Sequence, residues 1–174
     1  MSHDNFENER FRLEQVLAIL ERAVTRIEEG GNVPTTVLQD AVAFLMASED
    51  AAYEETQVDD SEPTLSACLA QITEGRQLLT QMHKSAAALA DGDVSAAVRF
   101  AQQARQYIRM SREHLRLDDR LFARVKAGRR ALDGSDAPVA SVETADTRRL
   151  YDRLIEASAV LDIGVPTAFP VHGH

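Results

Sequence analysis

The chain has 174 residues, with 19 Lys and Arg against 28 Asp and Glu and a net charge of −9, which bounds it to one domain and excludes the cation-rich surface that tracks nucleic-acid phosphates. It is 44% apolar but only 5% aromatic and lacks Trp, so its core must be built from Ala, Leu, Val and Ile. A single Cys68 excludes an intramolecular disulfide and a Cys-rich metal site. The absence of an apolar run of about 18 residues, and of a basic-then-apolar start in Met1 to Arg10, predicts a cytoplasmic protein with no membrane partner.

From Asp4 to Glu29, Phe6, Leu13, Leu17, Leu20, Val24 and Ile27 recur at helical steps, with Arg10 in the remaining slot of the stripe. Gly30 and Gly31 end this helix, and Pro34-Thr35-Thr36 opens a second that carries Leu38, Val42 and Leu45 and then turns polar at Glu49 and Tyr53. A third helix, about Pro63 to Ala90, presents Leu65, Leu69, Ile72, Leu79 and Ala86, with Gly75 admitting a neighbouring backbone. A fourth runs from about Val94 to Val125 and turns Phe100, Ala104, Tyr107, Ile108, Ser111, His114, Leu115 and Asp118 inward.

Residues 1–127 therefore read as a four-helix bundle, 128–140 as a linker, 141–164 as a further helix and 165–174 as an extended tail containing Pro166 and Pro170. Thr144 or Asp146 would cap the fifth helix, whose Leu150, Leu154, Ala157 and Leu161 form a stripe. It would lie against the outside of the bundle or mediate self-association. The fold class expected is all-α, an antiparallel up-down-up-down four-helix bundle with an extra C-terminal helix.

Polar groups on inward stripes gather toward one end: Arg10, Glu49, Tyr53, His114 and Asp118. Because an unpaired ionised group buried there costs several kcal/mol, these groups must pair, bind something or be more exposed than the periodicity suggests. Arg10 is expected to pair with Asp118 and Glu49, its planar fork suiting carboxylates, while Tyr53 and His114 complete the hydrogen bonds.

The stretch from Tyr107 to Phe122, with Arg112-Glu113-His114 followed by Asp118-Asp119 and Leu121-Phe122, resembles the last bundle helix of hemerythrin-like (HHE cation-binding) domains. Leu69-Ala70-Gln71-Ile72-Thr73-Glu74-Gly75-Arg76 is similar to that family's third-helix signature, and Gly92-Asp93 falls at its usual turn. The resemblance spans about Asn5 to Val125. It implies a bundle that in the family holds a non-haem di-iron centre binding oxygen or related ligands, on histidines from four helices and two bridging carboxylates.

Transferred position by position, the resemblance keeps His114 and Asp118 on the fourth helix, puts Ile72 at the third-helix histidine and puts Arg10, after Glu9, at the first-helix histidine. On the second helix, aligning Phe44-Leu45 places Tyr53 and Gln57 at the ligand positions, whereas aligning Glu54-Glu55 places Asp50 and Glu54 there. The first register is preferred because Tyr53 continues the apolar stripe. Neither supplies a histidine. The bundle is thus expected to lack the standard iron centre, with Arg10 supplying the positive charge instead.

No phosphate-binding Gly-rich loop, nucleophile elbow or paired Glu-x-x-His is present. Two functions remain in view. One is a non-enzymatic interaction or regulatory module without cofactor, acting on a protein partner that the residues do not identify. The other retains non-haem iron on His114, Asp118 and Glu49 and senses oxygen, nitric oxide or redox state. A homodimer is one assembly that the apolar tail around Phe169 would suit.

Overall fold

A computed structural model describes residues 2–56, 63–132 and 144–160, and the side-chain surroundings of 8–51, 70–116 and 144–159. All secondary structure among the described residues is helical: α1 (Ser2–Glu28), α2 (Thr35–Thr56), α3 (Pro63–Ala90), α4 (Ser95–Leu132) and α5 (Ala145–Val160). None of these helices is long and apolar enough to cross a membrane.

The helix ends follow local chemistry. Gly30 and Gly92 adopt φ of 79° and 97°, a backbone region that L side chains avoid, and so close α1 and α3. Gly31 N–H then reaches back to the Arg26 carbonyl, and Asp93 N–H to that of Ala88. Asp93 Oδ1 accepts from Ser95 N–H to cap α4, and Thr144 Oγ1 accepts from Thr147 N–H to cap α5.

One boundary differs from expectation. Helix α4 continues through Gly128 to Leu132, residues assigned above to the linker. One glycine costs a helix interior about 1 kcal/mol, which flanking Lys126, Arg129, Arg130 and Ala131, all good helix formers, offset. The remaining linker, residues 141–143 and 161–164 of the fifth helix, and the tail lie outside the described residues.

Helices α1 and α4 run antiparallel, because Arg105 pairs with Glu28 and Arg112 with Glu21. The same inverse order joins α3 to α4 through Ser85–Gln103 and Gln71–His114. Contacts of α1 with α4, α4 with α3, α3 with α2 and α2 with α1 are compatible with a bundle. Its core holds Leu17, Leu20, Leu38, Leu45, Leu79, Met82 and Phe100, all fully buried.

Helix α5 is not a loose addition. It packs on α1 and α2, and Leu154 and Ser158 lose all exposure. Its docking explains why α2 buries a second stripe, Val37, Ala41 and Phe44, beside the expected Leu38, Val42 and Leu45, and why α1 buries Gln15 and Ile19.

Candidate functional site

The inward stripe of α2 is apolar until it reaches Glu49. The α2 stripe Leu38, Val42, Leu45 delivers the next inward position, one turn on, to a carboxylate. Across from it α4 presents Tyr107, 1% exposed, whose hydroxyl donates to Glu49 Oε1 at 2.9 Å. The buried Ser111 lies one turn further along α4 and acts to lower the pKa of the phenol.

Helix α3 allows this approach at Gly75. A Cβ there would sit 3.1 Å from Glu49 Oε1 and 3.2 Å from the Met110 methyl. The glycine therefore accommodates a side-chain carboxyl and a thioether, not the neighbouring backbone expected above. Arg76, next in sequence, pairs with Asp50 at 2.8 Å on the partly exposed flank. His114 Nδ1 lies 2.8 Å from Gln71 Oε1 on α3, so with the amide oxygen facing the ring this nitrogen is the donor.

Burial pushes the Glu49 carboxyl above its ordinary pKa. The Tyr107 hydrogen bond, the His114 ring and the Arg76 guanidinium act in the opposite direction, and Asp50 adds to the rise. Burial likewise carries the Tyr107 phenol well above its usual value, reinforced by the charge of Glu49. The pair consequently favours a protonated tyrosine as donor and a carboxyl that takes up a proton more readily than one in water.

Among the expected site residues, the structure brings Glu49 and His114 into one electrostatic neighbourhood. Ile72 is buried, 5% exposed, on α3. Arg10 does not join them: its partner among the described residues is Glu14, 3.3 Å away and one turn along α1, with the two side chains 30% and 43% exposed. Among the described residues no Arg10–Glu49 pair forms.

Axial register is the reason. With Arg112 opposite Glu21 and Arg105 opposite Glu28, His114 is level with Ile19 on α1, which leaves Arg10 about 13 Å further along at about 1.5 Å per residue. The side chains of Tyr53 and Asp118, and with them the expected Arg10–Asp118 pair, lie outside the described residues.

Tyr107, Ser111, Gln71 and Arg76 were not assigned to the cluster from sequence. Tyr107, Ser111 and His114 do share the inward stripe of α4, and their polar tips were the available signal. Gln71 carried none, because it is adjacent to the inward Ile72 and its reach toward α4 is a matter of packing.

Every buried side-chain nitrogen and oxygen among the described residues has a hydrogen-bond partner. No group of three or more His, Cys, Asp and Glu side chains among them is arranged to hold a metal ion. The donors described here, Glu49 engaged by Tyr107 and His114 engaged by Gln71, do not fit a di-iron centre, which needs a larger set of imidazoles and bridging carboxylates. Comparison with protein-family models, curated proteins and solved structures gives no match.

Proposed function

We propose that the chain is a hemerythrin-like, up-down-up-down four-helix bundle that has exchanged its metal centre for a hydrogen-bonded side-chain cluster and serves as a non-enzymatic interaction or regulatory module in the cytoplasm. The observation that carries this reading is the Tyr107–Glu49 hydrogen bond across the core. Glu49, the inward carboxyl of α2, has a protein donor here, and burial favours its neutral form.

Glu49 has partners other than Arg10: the Tyr107 hydroxyl donates to it, and the His114 ring and Arg76 guanidinium favour its charged form. Ile72 supports the same reading: an apolar, buried side chain occupies the position where the resemblance calls for an imidazole. A satisfied cluster rigidifies the bundle where α2, α3 and α4 meet and leaves the outer helix faces for a protein partner.

Metal analysis of protein purified without an affinity tag, followed by anaerobic iron loading and an absorption spectrum, tests the proposal. Metal-free, colourless protein whose melting temperature ignores added iron is the expected result. Tightly bound iron in stoichiometric amount would overturn it and favour the iron-sensing reading on His114, Asp118 and Glu49.

A further inference from the structure

Helix α5 differs from the others in what it touches. It packs on α1 and α2 alone, while α1 to α4 retain contacts with one another that do not involve it. Among the adjacent pairs of that ring, α1 and α2 touch each other least, so their seam is open and α5 fills it.

The seam recognises α5 by specific chemistry. The Phe44 ring lies 6.1 Å from that of Tyr151, and Arg12 holds its guanidinium 5.3 Å from the centre of the same tyrosine ring. The Tyr151 hydroxyl donates to the buried Gln15, and Arg153 pairs with Asp40 at 2.8 Å. Contacts of Tyr151 with Phe44 and of Arg153 with Asp40 set α5 antiparallel to α2. Beside Arg153 and Ala157 an open cleft continues along α2 past Val37 to Pro34, so the docked helix does not seal the seam completely.

The geometry points to the α1–α2 seam as a helix-acceptor groove: α5 fills it in cis, and the partner it fits in trans is α5 of a second copy of this chain. The groove is complementary to the face carrying Tyr151, Arg153 and Leu154, and a second copy presents that face identically. Two chains that exchange α5 make the same contacts twice, so the pairing is reciprocal and closes as a dimer. The inference is independent of the polar cluster, because none of its groove residues belongs to it.

The connection between α4 and α5 is about 12 residues, and a tether of that length confers an effective concentration on the order of millimolar. The cis form therefore prevails in dilute solution. Exchange sets in as the chain approaches that concentration or when cis docking is weakened.

Leu154→Asp in the full chain places a carboxylate where Leu154 has no exposure, which releases α5 and opens the groove. A fluorescent peptide of residues 144–160 should then bind the variant saturably and about tenfold or more tightly than it binds the unaltered chain, whose groove is occupied. The same peptide carrying Leu154→Asp should not bind. Equal affinity for both chains, or no binding to a variant whose circular dichroism remains helical, overturns the proposal.

Hydrogen exchange of the unaltered chain gives a reading that does not depend on the variant's folding. Amides of α5 should exchange through an opening that leaves the buried parts of α2 and α4 protected, and exchange of all three in step overturns the proposal. By light scattering, the unaltered chain should show a dimer as it nears about 1 mM. A strictly monomeric chain at that concentration overturns the exchange.

Discussion

Replacing Tyr107 with Phe changes the shape of the core least while removing the hydroxyl on which the polar cluster depends. Tyr107 is 1% exposed, and its O–H is 2.9 Å from Glu49 Oε1. Phenylalanine fills the ring space but withdraws a donor from a half-buried carboxyl. Such a bond contributes about 1.5–3 kcal/mol when its partner is charged and about 1 kcal/mol when it is neutral.

The pH dependence distinguishes this loss from a simple packing defect. Burial raises the pKa of Glu49 in the folded chain. A carboxyl raised in this way contributes stability that is fully present below its unfolded pKa of about 4.3, and that is lost as pH rises through the folded value. Tyr107→Phe deletes one of the influences that lower the folded value, so the carboxyl rises further and the deficit widens with pH.

Urea denaturation from pH 4 to 9 should show a loss of about 1 kcal/mol at the acid end, growing by about 1 kcal/mol at the alkaline end. In a chain of this size that corresponds to melting shifts of about 2–4 °C per kcal/mol. In a Glu49→Gln background, where the side chain still accepts but cannot ionise, the cost of Tyr107→Phe should be independent of pH. A deficit below about 0.5 kcal/mol, or one equally large at both ends of the range, would refute the assignment of Tyr107 and Glu49 as one unit.

Three further outcomes are expected. Gly75→Ala should destabilise the chain by about 1 kcal/mol in urea denaturation despite the better helix propensity of alanine, because the new methyl meets a carboxyl pinned by Tyr107; in a Glu49→Ala background the sign should reverse. Leu154→Ala should cost about 2–5 kcal/mol by the same assay, up to a ceiling set by the docking of α5, since α5 can leave without α1 to α4 separating. The Arg112 hydrogen bond lowers the pKa of Glu21, so the stability from this pair is present above about pH 4.5 and lost as pH falls through the folded value. Arg112→Gln should therefore flatten the acid limb of the pH–stability curve by about 0.2–1 kcal/mol, a small effect because side chains 42% and 36% exposed are screened by solvent.

Much of the site was legible as a pattern but not as a set of contacts. Glu49 interrupts an apolar stripe, and that interruption alone marked it as a buried carboxylate in need of a partner. His114 on the inward face of α4 was equally visible. The pairing of Glu49 with Arg10 rested on charge complementarity without axial register: His114, beside Glu49, is about two and a half turns out of level with Arg10. Sequence placed Tyr107 on the inward face of α4 without a partner. A tyrosine at a fully buried position needs somewhere to direct its hydroxyl, and this requirement points to Glu49 once the two helices are set against each other.

What sequence alone determined is the set of helices and most of their ends, because those depend on interactions within one or two turns: apolar recurrence at three and four residues, glycine in the left-handed region, and Thr and Asp oxygens capping free N–H groups. What only tertiary structure decided is which side chains face one another. A helix can slide or turn against its neighbour with no change in its own hydrogen bonds, yet a slip of one turn moves every side chain by about 5.4 Å, more than the length of a hydrogen bond. Local chemistry does not encode that offset. It is set by how four core stripes, and the α5 face lying across α1 and α2, interlock at close packing.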